Sequence, residues 1–291
     1  MRGYLAALAA YFLWGLSPLF WKLLVSVPAI EILMHRIVWS FPLLIVLIVL
    51  RGQKKDFIQK VRSSGQRWPY IISAILLAGN WFTYIWAVNH AFIVEASLGY
   101  FINPLVNVLM GVLFLKEKMR SLQWVAVVMA ALGVFYLTVH YGHFPWIALV
   151  LAFSFATYGL IRKTGVFEAL EGLTFEMLIL FLPALGFTYF LYTKQGLAAV
   201  NGTLLLTGLL ILTGMVTILP LIWFAYGARR IPLSTMGFLQ YIGPTLQFVL
   251  GVFVYNESFG MERLTGFGII WLALALYTID LVRQYRQYNR A

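Results

Sequence analysis

The sequence predicts an all-α polytopic membrane protein, with ten transmembrane helices arranged as two inverted five-helix repeats. Hydrophobic residues make up 62% of the 291-residue chain and charged residues only 11%, whereas soluble domains carry roughly 25% charged residues. A soluble domain of this size could not hide so much apolar surface, so lipid must cover part of it. The repeat is indicated by a motif in the fourth apolar segment that recurs 140 residues later.

Ten segments have the length of a membrane span, which needs about 20 predominantly apolar residues. These segments are 4–24, 31–50, 68–88, 95–115, 122–139, 145–162, 173–192, 203–227, 233–255 and 261–282. The first is longer than the apolar core of a signal peptide and is followed by many equivalent segments. We therefore interpret it as the first span.

The basic residues indicate the orientation of the spans. The long polar connection at 51–67 carries six Lys and Arg residues, and alternating spans place 17 of the 21 on its side of the membrane. The four on the other side are Lys22, Arg36, Lys194 and Arg263. Because cytoplasmic loops are enriched in Lys and Arg, both termini are predicted to be cytoplasmic. The net charge of +11 follows from this topology, and we expect no nucleic-acid partner.

The repeat relates the fourth span to the ninth. A shift of 140 residues places Ile102, Pro104, Gly111, Val112 and Glu117 on Ile242, Pro244, Gly251, Val252 and Glu257, with Phe101 on Tyr241 and Asn107 on Gln247. The first repeat would span residues 1–142 and the second 143–291. Since five spans is an odd number, the second repeat must enter the membrane inverted, as in many secondary transporters.

Five stretches carry a resemblance to a known family. They are AYFLWG at 10–15, EILMHR at 31–36, GNW at 79–81, EASLGYFINPL at 95–105 and QYIGPT at 240–245. The chain resembles the drug/metabolite transporter superfamily of the EamA type, and within it the RarD-like permeases of bacteria, over essentially its full length. The resemblance implies a bacterial inner membrane, a central cavity between two inverted halves, and export of small metabolites or drugs.

Four ionisable residues in the second span and at the start of the fourth are candidates for function. Arg36 lies inside the second span with Glu31 and His35, and Glu95 opens the fourth. Charged groups within the membrane are costly, which makes them functional candidates. Arg36 could bind an anionic group of the substrate, and Glu95 or His35 could carry a proton. The structural alternatives are an ion pair that joins helix ends, or an arginine that snorkels to the interface.

Amide side chains recur on two spans. Tyr100, Asn103 and Asn107 share one face of the fourth span, and Gln240 and Gln247 share one face of the ninth. If the halves are related as predicted, Asn107 and Gln247 are equivalent residues near the middle of the membrane. Each could bind substrate, or form hydrogen bonds between helices, as amides in membrane helices commonly do.

Aromatic residues are candidates for the wall of a cavity. Asn80 and Tyr84 share a face of the third span, and Trp14 matches Tyr158 in the pair Trp14-Gly15-Leu16 and Tyr158-Gly159-Leu160. Tyr241 also lies within a span. Walls of this composition favour flat or amphipathic solutes.

Two prolines could bend their helices. Pro104 and Pro244 free the backbone carbonyls of Tyr100 and Gln240 one turn earlier. Such bends could serve gating or be permanent shape. Glu117 and Glu257 are interpreted as interfacial residues that end the repeated helices.

Other function classes receive less support from the sequence. The chain has no cysteine, and it contains neither HExxH nor GxSxG, nor a GxxxxGK[ST] phosphate loop. We therefore expect no enzyme activity, no metal and no cofactor, and a transport cycle driven by a substrate gradient or by protons. The expected partners are a small-molecule substrate and the lipid bilayer. A structural or regulatory membrane protein without transport remains the alternative.

Overall fold

The computed structural model describes residues 1–63, 67–90, 92–254 and 260–288, and Glu257 lies outside these ranges. Ten helices in the described ranges are long and apolar enough to cross a membrane, and each overlaps one predicted span. The all-α class with ten spans is therefore confirmed. The helices are α1 Arg2–Trp21, α2 Ala29–Leu50, α3 Lys54–Ser63, α4 Arg67–Asn89, α5 Ile93–Leu115, α6 Ser121–Tyr141, α7 Trp146–Thr164, α8 Ala169–Gln195, α9 Ala198–Asn201, α10 Leu204–Ala228, α11 Leu233–Gln240, α12 Ile242–Val249 and α13 Met261–Tyr288.

Two of these helices, α3 and α9, do not span the membrane. The first forms within the connection that the sequence predicted only as polar, and Asp56 in its first turn and Lys60 in its last turn suit the helix dipole. Lys60 Nζ lies 2.8 Å from Glu171 Oε1 of α8. On the short α9, the Ala199 N–H donates to Glu31 Oε1 of α2 at 3.2 Å.

The pairing of helices has the pattern that two inverted halves would produce. Helix α1 packs against α10 and α12, and α7 packs against α4 and α5; likewise α2 packs against α10, and α8 against α4. Three further pairs, α2 with α8, α5 with α11 and α6 with α13, join equivalent helices. The equivalent residues Phe101 and Tyr241 also meet, because the Tyr241 hydroxyl donates to the Phe101 carbonyl at 3.2 Å. The boundary between the halves at residues 142 and 143 stays a prediction.

Small residues allow several of these helices to approach closely. A Cβ atom on Gly227 of α10 would lie 3.3 Å from Ala7 Cβ of α1. A Cβ on Gly133 of α6 would lie 2.9 Å from Ile270 Cγ1 of α13. The close backbone approach at such glycines allows the dispersion contacts that hold helices together where lipid removes the hydrophobic driving force.

The two repeated prolines differ in their effect. Helix α5 runs without a break through Pro104. The ninth span is instead divided at Tyr241 into α11 and α12, three residues before Pro244, and it continues as a π-helix at Leu250–Val254. Pro244 lacks the backbone donor that would bond one turn earlier, which permits a break there. Whether either bend moves during function stays a prediction.

Candidate functional site

Arg36 lies at the meeting point of four helices. It is seven residues after the first residue of α2, which is about 10 Å along the helix axis. Its Nε donates to Thr217 Oγ1 of α10 at 3.0 Å. The guanidinium carbon lies 5.1 Å from the ring centroid of Trp21 and 4.6 Å from that of Trp81. Two indole rings, from α1 and α4, therefore flank the charge and favour it electrostatically.

The charge of Arg36 has no acidic partner in the described ranges. No carboxylate there lies within 4.0 Å of its nitrogens. Its two terminal nitrogens donate no hydrogen bond to a described residue, and the side chain is half-buried. A cation at this depth is costly unless it is paired or wet. The arrangement can therefore accept a planar anion at the terminal nitrogens.

Two tyrosines complete the surroundings of this cation. Tyr84 lies one turn after Trp81 on α4, and its ring centroid is 6.0 Å from that of Tyr100 of α5. The two side chains are 37% and 40% exposed, so part of each ring is not covered by protein. We call Arg36, Trp21, Trp81, Tyr84, Tyr100 and Thr217 the Arg36 site.

The sequence anticipated only part of the Arg36 site. Arg36, Tyr84 and Tyr100 were candidates on separate spans, and the fold brings them together. Trp21, Trp81 and Thr217 were not among the candidates. Trp81 follows Asn80 in the quoted GNW stretch, which was a usable signal, whereas Trp21 and Thr217 become neighbours of Arg36 only through helix packing.

His35 faces away from this site, toward Glu31. Both side chains are buried, and His35 Nε2 lies 3.7 Å from Glu31 Oε1. Trp39 Nε1 donates to His35 Nδ1 at 3.1 Å. Since a neutral imidazole carries one proton, this bond assigns the proton to Nε2, on the side of Glu31. His35 stays a candidate for proton coupling.

Glu95 has a structural partner at each carboxylate oxygen. Its Oε1 accepts from the Ile147 N–H of α7 at 2.7 Å, and its Oε2 accepts from the Tyr141 hydroxyl at 2.9 Å. A carboxylate at a helix N-terminus satisfies a backbone donor and suits the helix dipole. Glu95 therefore joins helix ends through hydrogen bonds and not through the ion pair that was the structural alternative, and proton transfer at Glu95 stays a prediction.

The amide candidates bond between helices. Asn103 Nδ2 donates to the Ala152 carbonyl of α7 at 2.6 Å, and Asn107 Nδ2 donates to Gln240 Oε1 of α11 at 2.9 Å. Asn80 Nδ2 donates to the Leu151 carbonyl at 2.9 Å. These bonds match the structural alternative for amides. Asn107 Oδ1 is completely buried and has no hydrogen-bond partner among the described residues.

The remaining candidates lie in helix interfaces. Trp14 and Tyr158 pack on the same ring, Phe224 of α10, with centroids 5.8 and 6.0 Å away. Gln247 Nε2 donates to the Trp14 carbonyl at 3.4 Å. Tyr241 is buried. Binding of substrate by these residues stays a prediction.

A buried ion pair that the sequence did not predict joins α7 and α8, in the part of the bundle toward the other membrane surface from the Arg36 site. Arg162 Nη1 of α7 is 3.4 Å from Glu176 Oε1 of α8, and both side chains are 0% exposed. Arg162 Nη2 donates to the Ala169 carbonyl at 2.6 Å. Ser73 donates to Glu176 Oε1, and the Tyr158 hydroxyl donates to Glu176 Oε2 at 3.4 Å. We call Arg162, Glu176, Ser73 and Tyr158 the Arg162–Glu176 network.

No local pattern in the sequence pairs Arg162, at the end of one predicted span, with Glu176 in the next. An acidic residue four positions inside the segment 173–192 was a usable signal, since ionisable groups within spans are rarely incidental. The hydrogen bonds that satisfy both charges come from α4 and α8, which no local pattern relates.

Many secondary transporters are bundles of apolar helices with a polar site between their halves. Residues 1–139 match the EamA-like transporter family. The chain is 46% identical over 289 residues to an uncharacterized transporter, YojE, of Bacillus subtilis, covering 98% of this chain and 96% of the relative. It is 43% identical to protein RarD of Escherichia coli, covering 99% and 98%. The chain belongs to the EamA-like transporter family and is a RarD-like permease within it.

Two further comparisons bear on cargo and fold. A chloramphenicol-sensitive protein RarD of Pseudomonas aeruginosa is 32% identical, covering 99% of this chain and 97% of the relative. A crystal structure of a protein with 18% sequence identity shares the fold, with a TM-score of 0.72 over 95% of this chain and 97% of that chain. The ten apolar helices and the bacterial relatives identify a multi-pass protein of the inner membrane. Membership in a transporter family agrees with the expectation that the chain is not an enzyme.

Proposed function

We propose that the protein is a secondary transporter that exports small metabolites or amphipathic drugs by alternating access, with both termini in the cytoplasm. The observation that carries the proposal is the Arg36 site. Its residues come from α1, α2, α4 and α5 of the first predicted half and from α10 of the second. A ligand bound there would touch both halves, which is what coupling of binding to their relative motion requires.

The conformation supports alternating access. In the half of the bundle opposite the Arg36 site, the Arg162–Glu176 network ties α4, α7 and α8 together. Lys163 Nζ also donates to the Ala228 and Ile231 carbonyls at 2.9 and 2.6 Å, which ties α7 to the end of α10. With cytoplasmic termini, this conformation would be closed to the cytoplasm and would offer the Arg36 site to the other side.

Glu117 adds to this closure. Its carboxylate accepts from the Leu233 N–H at 2.6 Å and the Ser234 N–H at 2.9 Å, so the end of α5 caps the start of α11. Opening toward the cytoplasm would have to break these contacts or carry α5 and α11 together. The central amides Asn107 and Gln240 already join the same two helices, which favours movement of the pair as one unit.

A ligand screen tests the proposal. The purified protein is heated with a panel of small metabolites and amphipathic drugs, including chloramphenicol, which is suggested by the name of the Pseudomonas aeruginosa relative. A ligand that binds the folded state raises the melting temperature by mass action. Each compound that raises it is then assayed for counterflow in liposomes. We expect at least one to exchange faster than in protein-free liposomes; if none does, a non-transporting role is favoured.

A further inference from the structure

The two predicted halves place opposite charges at equivalent positions. Arg36 and Glu176 are 140 residues apart, and each lies seven residues after the first residue of its helix, α2 or α8. Lys22 and Arg162 are also 140 residues apart, and each lies two residues before the end of its helical segment. Arg36 and Lys22 of the first half thus correspond to Glu176 and Arg162 of the second half. Only the second half has an acid at these positions.

The contacts around these pairs agree with the equivalence. Glu171 of α8 binds Lys60 of α3, and its equivalent Glu31 of α2 accepts a hydrogen bond from Ala199 of α9. Tyr70 packs on Phe167 with centroids 4.6 Å apart, and their equivalents, Leu210 and Val27, belong to one buried cluster. The charge difference at Arg36 and Glu176 is therefore a difference in chemistry within a shared framework.

In the second half, the charges balance. Arg162 and Glu176 pair at 3.4 Å, and the hydroxyls of Ser73 and Tyr158 satisfy the carboxylate. A buried arginine is tolerated because the acid and its hydrogen bonds offset desolvation.

In the first half, both equivalent positions are cationic. Glu31, the nearest acid along α2, is directed at His35 and Ala199 instead of Arg36. Tyr84 and Tyr100, the other titratable members of the Arg36 site, are phenols rather than acids. Among the described residues nothing takes the place that Glu176 has in the other half.

We infer that the transported ligand supplies this missing acid: a small organic carboxylate with an aromatic body. This inference rests on the proposed function and specifies its substrate class. The carboxylate would bind the terminal nitrogens of Arg36 in two parallel hydrogen bonds, the geometry that guanidinium groups favour. The half-exposed rings of Tyr84 and Tyr100 beside the charge would pack on the aromatic body. The exposed Lys22 adds positive charge next to Trp21 at the same end of α1.

Paired probes of matched shape test the inference. The full chain is placed in bilayer discs of phosphatidylcholine only, and the affinities of 3-phenylpropionate and its neutral amide, 3-phenylpropionamide, are measured by tryptophan fluorescence. The acid is expected to bind at least about tenfold more tightly, since charge-assisted pairs are roughly twice as strong as neutral ones. Equal affinities, or no saturable binding of the acid, overturn the inference.

Variants assign the preference to Arg36. Arg36→Gln is expected to lower the affinity for the acid to that for the amide, while the amide changes by less than about threefold. Lys194→Gln removes an exposed cation elsewhere on the same predicted side and should leave both affinities unchanged. If Arg36→Gln does not fold, Thr217→Val, which removes the acceptor of Arg36 Nε, should reduce the preference severalfold. Parallel losses of both probes overturn the inference.

Two further arms separate other sources of anion. If inorganic phosphate displaces the acid at equal concentration, the site binds free phosphate. If only discs containing phosphatidylglycerol do so, it binds the phosphate group of a lipid. Either result overturns the inference. If the protein moves the amide or another neutral solute in counterflow but never prefers the acid, the inference fails while the proposed transport function stands.

Discussion

Arg162 and Glu176 show how a single pair of residues can hold several helices together. Both side chains are completely buried; Arg162 Nη2 bonds to α8, and the Glu176 carboxylate accepts hydrogen bonds from α4 and α7. Removing one member of such a pair leaves an uncompensated charge in the interior, which costs more than the pair itself contributes.

We predict that Glu176→Gln lowers the free energy of unfolding by about 3–5 kcal/mol. Glu168→Gln is the matched control on the same helix end, because Glu168 is 51% exposed and its pair with Arg229 is 3.6 Å long. Exposed pairs contribute about 0–1 kcal/mol, so the control should change stability little. Unfolding of the purified variants in detergent measures both, and similar losses would contradict the role given to the buried pair.

We predict that the pH dependence of transport follows His35 and not Glu95. Both Glu95 oxygens have fixed donors, a backbone N–H and a phenol, whereas His35 Nε2 lies beside Glu31 without a hydrogen bond. The groups that could exchange a proton with bulk solvent during the cycle are therefore on α2. His35→Gln should flatten the pH profile of counterflow and Glu95→Gln should preserve it; the reverse pattern would restore Glu95 as the proton carrier.

Single residues were predictable from the sequence where the membrane itself selects them. Arg36 is conspicuous because a charge in an apolar segment is expensive, and that reasoning needs no tertiary structure. Its neighbours Trp21 and Thr217 come from helices far away in the chain, and many aromatic and hydroxyl residues in the spans carry the same local signal. Asn107 and Gln240 were recognised as polar, but their mutual bond depends on the packing of α5 against α11.

At the scale of elements, the spans were predictable because bilayer thickness sets their length. The helix breaks were not. Pro104 and Pro244 occupy equivalent positions, yet only the ninth span is divided, at Tyr241. A proline permits a bend, and the packing around it decides whether one forms. The short helices α3 and α9 were likewise not predicted, because a search for segments of about 20 apolar residues does not detect them.

We predict that Gly237→Ala destabilises the contact between α5 and α11. A Cβ at this position would overlap the carbonyl oxygen of Pro104 and lie 3.0 Å from Asn107 Cβ, so the two helices would have to separate. Gly186→Ala in α8 is the control, because a Cβ there meets nothing within 4 Å. The melting temperature should fall for the first variant and stay the same or rise for the second; equal effects would contradict the close approach.

At the scale of the whole molecule, the proposed alternating access requires a conformation that is closed at the Arg162–Glu176 network and open at the Arg36 site. Because the chain has no cysteine, introduced cysteines can report this asymmetry without background.

We predict that Tyr84→Cys reacts with a membrane-impermeant maleimide added outside the cell, and that Ser73→Cys reacts from neither side. Both positions are on α4, but Tyr84 is exposed and Ser73 is buried. A cysteine that faced lipid would react poorly because the reactive thiolate needs water. Labelling of Tyr84→Cys only from the cytoplasm would contradict the predicted orientation, and rapid labelling of Ser73→Cys would contradict the closed state.

Counterflow of 3-phenylpropionate tests the central claim, a transporter whose substrate binds at Arg36. Liposomes containing the protein are loaded with the unlabelled acid, and uptake of the labelled acid is followed at a pH where it is ionised. The account predicts uptake at least about tenfold faster than in protein-free liposomes, a fall toward that background in Arg36→Gln, and no change in Lys194→Gln. Uptake by the wild-type protein equal to that of protein-free liposomes, for this acid and for every compound that raises the melting temperature, would contradict it.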